Sequence, residues 1–337
     1  MYEFRLNRLI NSQQNLITQR INGLYCESAN TWIDPYKPVE KAIITHAHSD
    51  HFTNGCREYI CSIETGFLLR KRFGNNLNLK TIDYDKEFLI NGINFSLHPS
   101  GHILGSSQIK IKAGSEIWLI TSDLKRQKDK TCKSYEKLKT DFLICESTFG
   151  LPIFNWEATN EVVDSITKWV TQSEDSISIL FCYSLGKAQR LLSELNSQNF
   201  KNIYVHKSIE KMNGIYKSLG IELAETKVYD KNLEINNPKN SLLLLPPSLN
   251  NKNFLKKFKM VQTGFASGWM SIRALKKRSG FDKGFIISDH ADWNGLIKTI
   301  KESKAKRVFL NHGDGESLAN FLRDKEDLNI KQLKEVK

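Results

Sequence analysis

The sequence predicts a mixed α/β chain in which a β-rich domain is interrupted by an inserted α/β domain and then completed. Three observations carry this reading. Residues from about 15 to 150 read as short strands and turns with little helix, from about 151 strands alternate with amphipathic helices, and after about 270 short strands return. The divisions fall at 1–150 and 270–337 for the β-rich domain and at 151–269 for the insertion. A chain of 337 residues is long enough for two packed domains. Its composition, 40% apolar and 26% charged with 7 prolines, excludes collagen-like, low-complexity and largely disordered chains.

The elements follow in order. Lys41–Thr45 is a brief apolar strand that stops at a histidine cluster. Phe88–His98, Gln108–Ile111 and Glu116–Thr121 alternate or run apolar between Asn-Gly and Ala-Gly turns, and Phe142–Cys145 ends in the polar segment Glu146–Gly150. In the insertion, Thr159–Gln172 has helical spacing, with Val162, Val163, Ile166, Trp169 and Val170 on one face. Ile177–Tyr183 reads as a buried strand, Leu185–Asn196 as a helix, Ile203–His206 as a strand and Ile209–Leu219 as a helix. Such βαβ alternation implies a parallel sheet covered by helices. Gly284–Ser288 and Arg307–Asn311 are the returning strands, each leading into a polar loop and a helix.

Composition narrows the function classes. The 49 Lys+Arg against 37 Asp+Glu leave +12, which points to an anionic partner, although a lysine- and asparagine-rich coding background explains the surplus equally well. The longest apolar runs, such as Leu242–Leu245 before Pro246 and Pro247, are too short to span a membrane. The N-terminal stretch MYEFRLNRLINSQQ lacks the continuous apolar core of a secretory signal, so a cytoplasmic location is expected. Six cysteines without a CxxC pair, several inside strand-like runs, read as buried thiols rather than a zinc ribbon.

Of 8 histidines, 3 fall in the six residues His46-Ala-His48-Ser-Asp50-His51, directly after a strand. A tight turn at a strand end can aim such residues at two neighbouring points, as a metal site requires. His102 lies between Gly101 and Gly105, where the backbone can bend and approach closely, and Asp123 follows the strand 116–121, where a carboxylate can bridge two cations. Alone, each fits a capping histidine or a turn aspartate; with the cluster they complete a ligand count for two metals.

These motifs carry a resemblance. His46-x-His48-x-Asp50-His51, Gly101-His102 and Ser122-Asp123 resemble the ligand series of the metallo-β-lactamase superfamily, and Asp34 resembles its early aspartate, which props the histidine loop. Glu146 in CESTFG, His290 in SDHAD and His312 in NHG resemble the three signature motifs of the β-CASP branch, whose members cut nucleic acids. Within that branch the chain looks most like the bacterial ligase-associated DNA exonuclease and mRNA 3′-end processing factor family. It shares GLYC at 23–26, the stretch 33–51, SGHILGSSQI at 100–109, CESTFGLPIF at 145–154, YSLGKAQRLL at 183–192 and Gly268-Trp269.

The resemblance implies an αββα sandwich with an inserted β-CASP domain, a parallel sheet flanked by helices. It implies two zinc ions, with manganese as the alternative: His46, His48 and His102 for one, Asp50, His51 and His312 for the other, and Asp123 between them. The catalytic set would be Asp50, Asp123, Glu146 and His290, with water activated between the ions and His290, held by Glu146, as general acid. Ser184, Gly186 and Lys187 would offer a helix N-terminus to phosphate, and Trp269 and Arg273 a stacking and backbone-binding surface. The expected substrate is single-stranded or end-containing DNA, with RNA as the alternative, in functional association with a DNA ligase and helicase and with no membrane. His312 stands where RNA-cutting relatives carry histidine, against the DNA reading. A metallohydrolase of other substrates and an inactive binding subunit share the ligands, but the first has no use for Glu146 and His290, and no ligand is missing as the second would lead one to expect. His98 and His206 are left without a role.

Overall fold

The computed structural model describes residues 15–173, 175–230, 239–278, 280–313, 315–326 and 328–333; the N-terminal stretch weighed for a secretory signal lies outside them up to residue 14. A first sheet is laid down in sequence order by β1 (Ile17–Arg20), β2 (Gly23–Cys26), β3 (Thr31–Ile33), β4 (Lys41–Ile43), β5 (Glu58–Ser62) and β6 (Leu79–Ile82). A second begins with β7 (Glu87–Ile90), β8 (Ile93–Pro99), β9 (Ser107–Ala113), β10 (Glu116–Ile120) and β11 (Phe142–Glu146). The chain then builds a third from β12 (Ile177–Phe181), β13 (Ile203–Val205), β14 (Thr226–Val228), β15 (Leu242–Leu245), β16 (Val261–Ala266) and β17 (Lys283–Phe285). It returns to the second sheet with β18 (Arg307–Asn311) and β19 (Ile330–Gln332), giving the order β19-β18-β11-β10-β9-β8-β7. The helices are α1 (Ile63–Phe73), α2 (Thr159–Thr171), α3 (Lys187–Ser197), α4 (Lys207–Ser218), α5 (Lys252–Leu255), α6 (Arg273–Arg278), α7 (Trp293–Ser303) and α8 (Glu316–Glu326).

Strand side chains alternate between faces, and the alternation sorts the core into layers. Ile43 and Ile60 of the first sheet meet Trp118, Ile120, Ile144 and Phe309 of the second. The intervening residues Leu119, Leu143, Val308 and Leu310 point the other way, onto Leu296 and Ile300 of α7 and Leu318 and Leu322 of α8. On the outside of the first sheet, Ala42 and Ile44 share a core with Leu68 and Leu69 of α1. The layers are therefore helix, sheet, sheet, helix, the αββα sandwich.

The third sheet is wholly parallel, in the order β14-β13-β15-β12-β16-β17. Leu242 and Leu244 face α2, α3 and α4, whereas Leu243 and Leu245 face Phe254, Leu255, Phe258 and Phe281. Burial on both faces is why this strand reads as an unbroken apolar run. Each such leucine contributes about 1.5–3 kcal/mol. The strand near Gly284, read from the sequence as returning to the β-rich domain, is instead β17 of this sheet, where it pairs in parallel with β16 at the edge; a short strand does not say which sheet it joins.

Two further local features depart from the sequence expectation. α1 lies in a region read as having little helix, because Gly66 and the adjacent Leu68 and Leu69 blur any apolar stripe; Ser62 caps it by accepting from Thr65 N–H. α3 starts at Lys187 rather than Leu185, because Gly186 takes φ 89°. A side chain at Gly186 would also collide with Ile103.

Topology then brings chemistry together. Parallel neighbours β10, β11 and β18 end side by side, so Asp123, Glu146 and His312 arrive at one rim. The ends of β12, β15 and β16 face the same space, as the crevice of an open parallel sheet does. Among the described residues no helix is long and apolar enough to cross a membrane.

Candidate metal centre

One carboxylate shapes the histidine loop. Asp34, whose φ is 45°, accepts from Thr45 N–H (2.8 Å) and the Thr45 hydroxyl (2.6 Å), and it also accepts from His51 Nδ1 (2.7 Å). The beginning and end of the loop are thus tied to one side chain. Arg72 of α1 donates to the Ala47 carbonyl between them.

Hydrogen bonds on the far side of each imidazole fix which nitrogen faces inward. His48 Nε2 donates to the Leu185 carbonyl (3.1 Å) and His102 Nδ1 to the Asp289 carbonyl (2.7 Å). His46 Nδ1 lies 3.1 Å from the Thr45 hydroxyl, whose own proton goes to Asp34, so His46 donates as well. Burial lowers the proton affinity of all three rings and keeps them neutral. Their remaining nitrogens carry lone pairs, and those atoms converge: His48 Nδ1 is 3.1 Å from His46 Nε2 and 3.2 Å from His102 Nε2. Lone pairs aimed at one another repel. The spacing is close to the edge of a tetrahedron of nitrogens about 2.0 Å from a central cation. Asp123 Oδ2 completes the set, 3.6 Å from His46 Nε2 and 3.5 Å from His102 Nε2. These residues fit a divalent metal ion.

The second expected set is looser. His51, its Nδ1 bonded to Asp34, points its Nε2 inward, 3.5 Å from Asp123 Oδ2 and 3.9 Å from Asp50 Oδ2. His312, at φ 54°, brings its ring centre to 5.5 Å from that of His51. Asp50 is largely exposed, with 77% of its side chain open, whereas Asp123 is buried. Burial favours the neutral acid of Asp123, but the imidazoles of His51 and His290 outweigh it and hold the carboxyl well below the usual range. Burial likewise opposes the charge on His51, yet Asp123 and Asp34 push it up to about 10.

Beside the cluster stands a histidine–carboxylate pair. His290 Nδ1 is 2.8 Å from Glu146 Oε2 and its Nε2 is 3.8 Å from Asp123 Oδ2. Glu146 is buried and fully engaged, accepting from Leu124 N–H (2.5 Å) and the Thr148 hydroxyl (2.6 Å). Burial disfavours the imidazolium, but Glu146 and Asp123 overcome it and raise His290 to about 9. Trp156 donates its indole N–H to the His290 carbonyl (2.9 Å), fixing the backbone.

A cavity of about 750 Å³ opens over these groups. Its sandwich wall carries His48, Asp50, His102 and Asp123; its other wall includes Ser184, Lys187, Trp269 and His290. A Cβ built on Gly186 would stand 3.8 Å from His48 Nε2, and the Gly186 N–H donates to Gln189. Ser184 pairs with Ser208 (3.0 Å) rather than capping α3. Lys187 is buried with its ammonium 3.5 Å from Asp289. Trp269 is 40% exposed at the cavity lip, whereas Arg273 is exposed and does not line the cavity.

Sequence reasoning passed over several residues. Arg190 of α3 donates to the Ser288 carbonyl (2.5 Å), and it meets Asp289 (3.6 Å) and Asp129 (3.7 Å), so α3 grips the loop that presents His290. Lys125 pairs with the same Asp129. Arg190, set among the apolar positions Ala188, Leu191, Leu192 and Leu195 of α3, was the available signal. His98 binds Ser96, Asp85 and Glu136, and His206 caps α4.

Comparison with known proteins gives concordant findings. A family profile described as a Zn-dependent metallo-hydrolase RNA specificity domain matches residues 284–331. The chain is 28% identical to a probable DNA ligase of Opitutus terrae across 90% of its own length and 30% of that protein's. It is 29% identical to the endoribonuclease YSH1 of Yarrowia lipolytica over 42% of this chain and 18% of that one. An RNase J-like protein of Methanocaldococcus jannaschii is 23% identical, with 85% and 84% covered. The chain thus spans under a third of the length of the first two relatives. A crystal structure of a protein of unknown function from Enterococcus faecalis shares the fold, with a TM-score of 0.57 at 13% identity, covering 87% of this chain and 79% of that one. The sandwich, the third sheet and the histidine and carboxylate motifs that their strand ends bring together, with these similarities, support placing the chain in the β-CASP branch of the metallo-β-lactamase superfamily.

Proposed function

We propose that the chain hydrolyses phosphodiester bonds in nucleic acid, acting on DNA ends with two zinc ions bound. The convergence of three imidazole lone pairs and one carboxylate carries the metal part of this reading. His46, His48 and His102 would hold one ion, Asp50, His51 and His312 the other, and Asp123 would lie between them. Ions bound there would supply Lewis acidity toward a phosphoryl oxygen and lower the pKa of water.

The chain's own residues supply the rest. Glu146 keeps a proton on His290 near neutral pH and orients its Nε2 toward Asp123, so His290 is placed to protonate the departing sugar oxygen. Asp34 aims His51, and the carbonyls of Leu185 and Asp289 aim His48 and His102. Trp269 offers a face for stacking a base at the cavity lip. The inserted unit of this reading is 151–269, extended by β17 at its sheet edge.

DNA is favoured by the relative named as a ligase, which aligns with most of the chain; association with a ligase and helicase rests on that name and on the family resemblance. RNA is the second reading, favoured by the RNA specificity profile over residues 284–331 and by His312. The test is cleavage of matched single-stranded DNA, duplex DNA and RNA, each labelled at either end, with zinc or manganese added after chelation. Metal-dependent release from DNA ends is the expected result. Cleavage of RNA alone would replace the substrate, and cleavage that survives chelation and Asp50→Ala would overturn the reading.

A further inference from the structure

The net charge is concentrated rather than spread. Between residues 250 and 285 there are nine Lys or Arg residues and a single acid, Asp282, so this tenth of the chain holds eight of the twelve surplus charges. Asp282 is committed to the fold, accepting from both the N–H and the hydroxyl of Thr263. Two exposed basic runs result: Lys252, Lys256, Lys257 and Lys259 before β16, and α6 with Lys277 and Arg278 after it.

Both runs start at the cavity. Pro246, Pro247 and Ser248 line it, and Lys252 follows four residues after Ser248; Ser267, Gly268 and Trp269 line it, and α6 opens four residues after Trp269. Phe254, Leu255 and Phe258 anchor the first run on the third sheet, beside Phe181 and Phe265. The lysines between these anchors are thereby held outward on a fixed support. A helix face stabilised by its own charge pairs would alternate in sign, and this surface does not.

Resting on the nuclease reading, we propose that this strip binds the phosphates of the same nucleic-acid strand beyond the cavity, so that the substrate leaves the metal centre past Ser248 and Trp269 over α5 and α6. Binding is then stronger for strands that extend past the cavity than for those that end inside it. The strip grips backbone phosphates, independent of base sequence and sensitive to salt.

The test compares the full chain with a variant in which Lys252, Lys256, Lys257, Lys259, Lys277 and Arg278 are all replaced by Gln. Cleavage and equilibrium binding are followed on trinucleotides and on strands of roughly 20 nucleotides, across a salt series. For the long strands the variant should raise KM by at least about tenfold and flatten the slope of log K against log salt by about 0.7 for each phosphate no longer neutralised. For trinucleotides both proteins should behave alike. Equal KM and equal salt slopes on long strands would overturn the strip while leaving the nuclease reading intact. Loss of binding to anionic lipid vesicles with long-strand binding unchanged would overturn it too. A wild-type chain that neither binds nor cleaves any of these strands would overturn the nuclease reading and the strip with it.

Discussion

The two ligand sets of the proposed metal centre are built to different standards. In the half formed by His46, His48, His102 and Asp123, every imidazole has its outer nitrogen tied to a carbonyl or hydroxyl and the four donors lie within 4.8 Å of one another. In the half formed by Asp50, His51 and His312, only His51 is tied among the described residues, through Asp34, and Asp50 stands mostly in solvent. Burial and outer bonds preorganise the first half before an ion arrives, whereas an ion must gather the ligands of the second. The first half should therefore hold metal more tightly.

The hardest blow to that contrast is to remove the group shared by both halves. Asp123→Asn should deplete both ions and lower kcat/KM by about 10²–10³ or more, read by elemental analysis and by cleavage of a labelled strand. Retention of full metal content would mean that Asp123 does not link the halves. Next, His290→Gln should slow turnover by about 10²–10⁴ while both ions stay bound, since its ring is hydrogen-bonded to Glu146. Loss of an ion in that variant would move His290 into the ligand set.

Asp34→Ala sharpens the comparison further. It should weaken metal at the second half by about 10–100-fold, the usual effect of an outer partner, and leave the first ion in place during titration with a chelator. His312→Ala should give the same selective loss, while His48→Ala should strip the tighter ion. A smaller consequence concerns stability. Burial resists the charge on Asp129, but Lys125 and Arg190 hold its carboxyl below the usual range. A depressed carboxyl stabilises the fold above the unfolded value of about 3.9, and that stabilisation is lost as pH falls through the folded value. Asp129→Asn should therefore cost about 3–5 kcal/mol near neutral pH by denaturant unfolding, with the difference closing in acid.

How much of this was legible in the sequence follows from where each donor lies. Four ligands fall within His46–His51, so their spacing betrayed them, and Gly101 announced a backbone too crowded for a side chain: a Cβ there would stand 2.3 Å from the Lys125 carbonyl. The orienting groups were not legible. Leu185 and Asp289 act on His48 and His102 through their carbonyls, and every residue has a carbonyl. The sandwich and the parallel sheet were readable from period-two and unbroken apolar strands, whereas α1 was hidden by Gly66 and an apolar face shared with two layers.

Those two carbonyls have a wider meaning. Leu185 follows the first strand of the third sheet and Asp289 follows its last, so loops leaving the third sheet decide which nitrogen two histidines of the sandwich present. The third sheet with its loops should therefore not exchange as a cassette that merely selects a substrate. A chimaera carrying a foreign insertion would keep all its ligands in sequence and still misplace their protons. Covariation between the residues around 185 and 289 and the sandwich loops, rather than within either part, is what that dependence should leave behind.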